Sequence, residues 1–296
     1  MKMTYYRGEH PNFGDELNAW LWPQLLPNFF DDAADSLFLG IGSIIGTKFD
    51  PAAKKIVFGA GFASEYDQAP DLSDGKWDIF FVRGPRTAKA LNICPSLAIG
   101  DGAILLRSVV DLSRKDPKHI SFMPHWESFY VGDWRRVCDI AGIHLIDPRQ
   151  PVDKVIDELL QSRLVIAEAM HGAIVADALR TPWAPLTPIN PLHRNKWLDW
   201  AEALDIDLRP YRLLPSTIEE SNHAVAGRFF LSRMRRGVAF TPPLRWGADC
   251  VLAHLAARRL QQIAKMPPSL SEDRKIEEAL EMMQSKLHKL QLAYPR

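Results

Sequence analysis

Cysteine is scarce in this sequence, which has three among 296 residues, at positions 94, 138 and 250. They lie far apart, in none of the spacings of metal ligands, and such an odd, sparse set argues against a disulfide scaffold. No apolar run reaches the roughly 18 residues of a membrane span, and the polar N-terminal segment lacks the apolar core of a signal peptide. We therefore expect a protein of the reducing cytoplasm.

A surplus of charge is missing as well, because Lys+Arg and Asp+Glu both number 36 and the net charge is +0. Proteins that bind nucleic acids or membranes through their overall charge carry such a surplus, so the whole chain predicts neither partner. What is present is the balance of a folded globular protein, with 47% hydrophobic and 24% charged residues. The length fits two domains of about 100–150 residues each.

Short runs that are apolar on both faces alternate with helical patterns in two successive groups. The runs predict strands near Leu37–Ile41, Ile56–Phe58, Ile79–Val82 and Leu97–Ile99, and then near Ile120–Met123, Ile143–Ile146, Leu164–Ala167 and Trp183–Leu186. Helical patterns fall near Asp15–Leu25, Thr87–Leu91 and Val152–Gln161. Because such strands are typical of buried parallel sheets covered by helices, the sequence predicts an α/β protein with two doubly wound, Rossmann-like domains that face one cleft.

The predicted domains are residues 1–113 and 119–210, joined by the charged, proline-containing linker Arg114–Lys118. Residues 211–296 are predicted to be a helical, basic extension. Residues 226–265 contain eight Lys/Arg and one acid. These cations are either solvated or locally paired, or they hold the protein peripherally against an anionic membrane. The apolar stripe of the last helix is interpreted as packing on the protein itself. It consists of Ile276, Leu280, Met283, Leu287 and Leu290.

Glycine turns and an arginine follow strands of the first group, at the sheet edge where ligands bind in such folds. Gly40–Ser43, with Gly42 at its centre, and Gly59–Gly61 can cradle a phosphate with backbone amides, or they are close-packed turns. Neither completes a dinucleotide fingerprint. Arg83 ends a strand and is either a clamp for a carboxylate or phosphate or part of a structural salt bridge.

Two acids are further candidates for the site. Asp15 stands in the segment Asn12–Asn18, which opens a helix, and the plain alternative there is helix capping by Asn12 or Asp15. Asp101 lies between two glycines and either accepts hydrogen bonds from sugar hydroxyls or caps a turn.

His171 begins a helix directly after the buried strand near Leu164–Ala167. A helix N-terminus favours the neutral imidazole, whereas Glu168 or a bound phosphate favours the protonated form, so His171 can serve as acid or base. The alternative is a histidine that caps its helix. Arg194 and Lys196 follow the last predicted strand and can bind phosphate, or they lie in an exposed turn.

Taken together, and in their order along the chain, these motifs resemble those of the polysaccharide pyruvyl transferase family. The resembling residues are Asn12–Asn18, Gly40–Ser43, Gly59–Gly61, Arg83-Gly84-Pro85, Gly100-Asp101, Ala167–Leu179 and Lys196-Trp197. The resemblance implies a fold similar to GT-B glycosyltransferases, phosphoenolpyruvate as donor, a polysaccharide sugar as acceptor, and a pyruvate ketal that commonly bridges O4 and O6 of a hexose. Many members have an arginine where this chain has Ala169, and Arg194 or Lys196 is the candidate replacement.

Following the resemblance, we expect His171 to be the general acid, and Arg83 and Lys196 to bind the donor. Asp15 or Asp101 is expected to orient the acceptor hydroxyl or to act as the base. The remaining predicted substrate-binding residues are Asn12, Gly42, Glu168 and Arg194. Neither a cofactor nor a metal is predicted. The alternatives are a nucleotide-sugar glycosyltransferase and a non-catalytic carbohydrate-binding relative; lipid linkage of the acceptor and homo-oligomer formation stay open.

Overall fold

The computed structural model describes residues 1–188, 193–226 and 242–295. Its framework is two four-stranded sheets in which every pair of neighbouring strands is parallel. The first sheet has the order β1-β2-β3-β4, with β1 at Lys2–Thr4, β2 at Ser36–Leu39, β3 at Lys54–Phe58 and β4 at Trp77–Phe81. The second has the order β6-β5-β7-β8, with β5 at His119–Met123, β6 at His144–Leu145, β7 at Ser162–Ala167 and β8 at Trp183–Pro185. The α/β prediction with parallel sheets is therefore confirmed.

Helices occupy most of the connections between these strands. They are α1 Phe13–Leu25, α2 Pro85–Ala90, α3 Trp126–Val131, α4 Trp134–Ala141, α5 Val152–Leu160, α6 Met170–Ala178, α7 Arg194–Ala203, α8 Ile218–Ala226, α9 Pro242–Ile263 and α10 Asp273–Ala293. Three short 3₁₀ segments lie between β4 and β5, at Pro95–Leu97, Gly102–Ser108 and Leu112–Arg114. Helices α4, α5, α6 and α10 contact the strands directly, as expected for buried parallel sheets.

The strand predicted near Leu97–Ile99 is wrong. Pro95 begins a 3₁₀ turn that runs through Leu97, and Ala98 keeps only an isolated bridge to Val82. Proline donates no backbone hydrogen bond and suits the first position of a helical turn, so the apolar residues that follow form no ladder. The fourth strand of the first sheet is instead β1, whose three residues are too few and too polar to show a strand pattern.

Buried side chains of both sheets pack into one continuous cluster. It joins α1 and the 3₁₀ segment Gly102–Ser108 on one side to α5 and α6 on the other. The cluster brings the N-terminal ends of α1 and α6 together, because Phe13 and Met170 are both buried within it. This contact positions the residues that open the two helices.

The C-terminal part packs on both halves of the molecule. Helix α10 buries Ile276, Met283 and Leu290 and contacts the 3₁₀ segment Gly102–Ser108 and β4, which confirms that its apolar stripe packs on the protein itself. Helix α9 packs on α4. Four of the basic residues lie outside the described residues: Arg228, Arg233, Arg235 and Arg236. Within the described ranges, no helix has the length and apolar character needed to cross a membrane.

Candidate active site

The two glycine turns and Arg83 meet at the carboxyl edge of the first sheet. Gly61 N donates to the carbonyl of Gly42 at 2.8 Å, and Arg83 Nη1 donates to Ser43 Oγ at 2.7 Å. A Cβ on Gly61 would lie 2.2 Å from Arg83 Cζ, so only glycine lets the guanidinium lie against this turn. The structure therefore brings these three segments together.

Arg83 is completely buried and forms an ion pair with helix α7. Its Nε donates to Asp199 Oδ2 at 3.0 Å, and Asp199 is itself 1% exposed. Asp199 also accepts hydrogen bonds from the backbone N and the hydroxyl of Thr87. The structure thus contains the structural salt bridge that was the alternative for Arg83, while Arg83 Nη2 has no hydrogen-bond partner among the described residues.

The segment that opens helix α1 places Asp15 beside the first glycine turn. Asn12 occupies the N-cap position of α1, but its side chain caps no backbone N–H and instead donates to Asp15 Oδ2 at 2.7 Å. Asn18 is buried and exchanges two hydrogen bonds with the backbone of Ile41. Gly42 has φ +119, and a Cβ there would lie 3.8 Å from Asp15 Oδ1. Burial raises the pKa of Asp15, against the hydrogen bond from Asn12.

His171 lies between the openings of helices α1 and α6. A Cβ on Gly14 would lie 2.0 Å from its Nδ1, so the ring packs directly on the backbone of α1. Its Nε2 lies 3.7 Å from Oδ2 of the completely buried Asp101, and neither atom has a hydrogen-bond partner in the described part of the chain. Asp101 Oδ1 accepts from Ala103 N, so this carboxylate caps its turn and faces the imidazole. His171 does not cap its helix, whose N-cap is Ala169.

Lys196 shares a pocket with His171. The pocket is lined by Asn12, Phe13, Gly14, Met123, His125, Ala169, Met170, His171 and Lys196. Burial lowers the pKa of the Lys196 ammonium to about 8, helped by the Arg83 cation and opposed by Asp15 and Glu127. The pocket measures about 30 Å³, which is room for about one water molecule, so a larger ligand requires its walls to move apart.

Two predicted binding residues lie elsewhere. Glu168 is 2% exposed and accepts hydrogen bonds from His125 N at 3.0 Å and from Ser128 Oγ at 2.9 Å, which hold the turn between β5 and α3. Arg194 lies on another face of α7 from Lys196. It lines a separate 340 Å³ pocket with Leu186, Thr187, Pro188, Trp197, Leu198, Leu208, Pro210 and Arg212. Of the two candidates to replace an arginine at position 169, Lys196 is therefore the one that faces His171.

A cluster that the sequence did not indicate adjoins this pocket. His193 Nε2 lies 3.2 Å from Glu127 Oε2, and its Nδ1 lies 2.5 Å from the hydroxyl of Tyr66. His125, which lines the pocket, places Nδ1 3.7 Å from the same carboxylate oxygen. His193 is 66 residues from Glu127 in the chain, so no local sequence motif predicts this group. The available signal was the position of His125, two residues after the end of β5.

Comparisons with known proteins agree with the resemblance. The family model "Polysaccharide pyruvyl transferase" matches residues 6–190. A relative, the succinoglycan biosynthesis protein ExoV of Rhizobium meliloti (strain 1021), is 38% identical over 318 aligned residues, which cover 99% of this chain and 100% of the relative. No solved structure matches the chain.

Proposed function

Because the chain belongs to the polysaccharide pyruvyl transferase family, we propose that it transfers the pyruvyl group of phosphoenolpyruvate to a hexose of an exopolysaccharide repeat unit. It is a pyruvyltransferase of exopolysaccharide biosynthesis. The product of the proposed reaction is a pyruvate ketal, bridging O4 and O6 of the sugar, and inorganic phosphate. The relative's name, which refers to succinoglycan biosynthesis, supports an acceptor of this class.

The observation that carries the proposal is the environment of His171. Its ring is held against α1 at Gly14, faces the buried Asp101 carboxylate, and shares a pocket with the Lys196 cation. An imidazole that faces a buried carboxylate can act as a general acid or base once a closer approach aligns the two groups. A neighbouring ammonium supplies the charge that an anionic donor needs.

The proposed reaction begins with a proton transfer from the His171 imidazolium to the methylene carbon of phosphoenolpyruvate. Positive charge then develops at C2, where the first sugar hydroxyl adds. Phosphate leaves with its electron pair, and the second hydroxyl closes the ketal. Of the two hydroxyl protons, one restores His171 and the other is carried away by phosphate, so the sum is donor plus diol to ketal plus phosphate.

Each remaining residue has a role that follows from its place. Lys196 binds the phosphate or carboxylate of the donor. The buried Arg83, which lies against the glycine turns, contributes a second positive charge that attracts the donor. Asp101 is a positioning residue for His171, because it is completely buried. Asp15, held by Asn12 beside Gly42, orients the acceptor hydroxyl or accepts its proton.

We further propose that the two sheets belong to Rossmann-like domains, residues 1–113 and 119–210, arranged as in GT-B enzymes. The support is that the candidate residues follow strands of both sheets, as ligand sites do in such folds. Opening between these domains would admit the donor to the small pocket beside His171.

The donor is tested by incubating the enzyme with phosphoenolpyruvate and a panel of β-galactosides and β-glucosides. Acceptor-dependent phosphate release, with a ketal methyl signal in the NMR spectrum of the sugar, is the expected result. Stabilisation against heat by UDP- or GDP-sugars, with none by phosphoenolpyruvate, would instead indicate a nucleotide-sugar glycosyltransferase. Sugar binding without any turnover would indicate a non-catalytic relative.

We place this reaction in the cytoplasm, with the acceptor lipid-linked at the inner face of the membrane. The support is the basic stretch of residues 226–265 and the attraction of such stretches to anionic lipids. Cosedimentation with anionic vesicles, lost when Arg233, Arg235 and Arg236 are neutralised, is the expected result. Failure of the unaltered protein to bind vesicles would remove the membrane contact and leave the donor assignment unaffected.

A further inference from the structure

Three side chains with metal-ligating atoms converge beside the candidate active site. His125 and Glu127 come from the turn after β5 and the first turn of α3, and His193 directly precedes α7. One ligand atom from each lies within 4.8 Å of the others, and this is the sole group of its kind within the residues that the structure describes. Both imidazoles are buried, with 9% and 7% exposure.

The two distances to the Glu127 carboxylate fit a small coordination sphere. A tetrahedral ion with ligands at about 2.0–2.2 Å places its ligand atoms roughly 3.3–3.6 Å apart. Glu127 Oε2 lies 3.2 Å from His193 Nε2 and 3.7 Å from His125 Nδ1, and the two imidazole centroids are 4.5 Å apart. The imidazole nitrogens of His125 and His193 lie within 4.8 Å of each other, so binding one ion would bring them closer by up to about 1.5 Å. His125 Nδ1, which accepts a 3.4 Å hydrogen bond from Glu127 N, would exchange that bond for the ion.

Tyr66 supplies the outer contact that metal-binding histidines usually have. Its hydroxyl lies 2.5 Å from His193 Nδ1. When Nδ1–H donates to this oxygen, the proton is held on Nδ1 and the Nε2 lone pair is directed toward Glu127. Such outer partners fix the tautomer and the ring orientation of a ligating histidine.

We propose that His125, Glu127 and His193 bind one divalent transition-metal ion of the zinc type. Two imidazoles and one carboxylate favour Zn²⁺, Co²⁺ or Ni²⁺ over Mg²⁺ and Ca²⁺, which prefer oxygen ligands. Three protein ligands leave a coordination position for a ligand from outside the chain. Because His125 also lines the His171 pocket, the ion would form part of its wall. This inference does not depend on the proposed donor or acceptor.

A second histidine pair provides a matched control. His119 and His144 have ring centroids 4.4 Å apart, and His144 Nε2 lies 3.4 Å from Glu158 Oε1. This group also consists of two histidines and one glutamate. Its possible ligand atoms, however, do not all lie as close to one another as those of the proposed site. A metal that binds histidines without regard to geometry would use both groups.

The test uses the full chain without an affinity tag, freed of metal with a chelator. We expect one equivalent of Zn²⁺ in equilibrium dialysis and visible d–d absorption on adding Co²⁺, with no uptake of Mg²⁺. His193→Ala abolishes both signals, His144→Ala retains them, and Tyr66→Phe weakens Zn²⁺ binding about 10–100-fold. Glu127→Gln, the conservative variant, weakens it at least about tenfold.

Thermal unfolding separates loss of the site from loss of the fold. Zn²⁺ should raise the melting temperature of the unaltered protein and of His144→Ala, because a ligand bound to the folded state stabilises it. Folded His193→Ala should show no rise. No stoichiometric uptake by the unaltered protein, or equal uptake by folded His193→Ala, would overturn the proposal.

Discussion

Arg83 and Asp199 form a buried ion pair, with 3.0 Å between Nε and Oδ2, that joins the edge of the first sheet to helix α7. Helix α7 also carries Lys196, which shares the pocket of His171. The pair therefore holds helix α7, and with it Lys196, against the edge of the first sheet that carries the glycine turns.

Removing Asp199 should strongly destabilise the protein. In Asp199→Ala, the Arg83 guanidinium stays buried without its carboxylate, and breaking such a pair costs about 3–5 kcal/mol of unfolding free energy. Urea unfolding measures the change. Glu202→Ala is the control, because the Arg86–Glu202 pair joins the adjacent helix α2 to the same helix α7 but is 44% and 42% exposed, so its loss should cost below about 1 kcal/mol. Equal losses in the two variants would contradict the role assigned to burial.

A methyl group at Gly14 should abolish turnover while the fold persists. The Cβ would lie 2.0 Å from His171 Nδ1, so the imidazole must leave its place, whereas alanine within a helix stabilises by up to about 1 kcal/mol relative to glycine. We expect kcat to fall at least about 100-fold in Gly14→Ala, with little change in melting temperature. Gly247→Ala, in α9 with nothing within 4 Å of the added carbon, should retain full activity. Normal kcat in Gly14→Ala would show that the position of the ring is not critical.

Donor affinity should depend on the charge of Lys196. Its pKa of about 8 means that the ammonium is lost as pH rises through that value, and phosphoenolpyruvate binding should weaken in the same range. Calorimetric titrations on both sides of pH 8 measure this. Lys196→Arg keeps its charge and should move the loss of affinity to higher pH, and Lys196→Met should bind weakly throughout. Lys89→Met, at an exposed site on α2, should behave like the unaltered enzyme. Unchanged donor affinity in Lys196→Met would remove this residue from the site.

Glu220 should make the protein less stable in mild alkali. Burial raises the pKa of this carboxyl from 4.5 to about 8, although Ser216 and Trp134 donate hydrogen bonds to it. Because the folded chain then binds the proton more tightly than the unfolded chain, stability falls as pH rises from about 4.5 to about 8 and levels off above that. Glu220→Gln should flatten this slope of melting temperature against pH. The exposed neighbour Glu219 provides the control, since Glu219→Gln should keep the slope. An unchanged slope in Glu220→Gln would assign the dependence to other groups.

The sequence could predict those candidate site residues that belong to a local pattern, such as a turn after a buried strand. Apolar runs located seven of the eight strands, and the segments that follow strands included both glycine turns, Arg83 and His171. Asp199 was missed because it lies 116 residues from Arg83, inside an ordinary helical pattern. The same holds for His193 and Glu127, which are 66 residues apart and meet only in the folded chain. Glu168 was placed in the site by its position in the chain, but its backbone points the carboxylate into the turn after β5.

The most direct test of the central claim compares phosphate release by the unaltered enzyme, His171→Ala and Asp101→Asn, at saturating phosphoenolpyruvate with an acceptor that supports turnover. Both variants should still bind phosphoenolpyruvate, measured by calorimetry. Release should fall about 10²–10⁴-fold in His171→Ala, the usual contribution of a general acid, and by less in Asp101→Asn, which removes only the charge opposite Nε2. Phosphate release by folded His171→Ala at the rate of the unaltered enzyme would contradict the account.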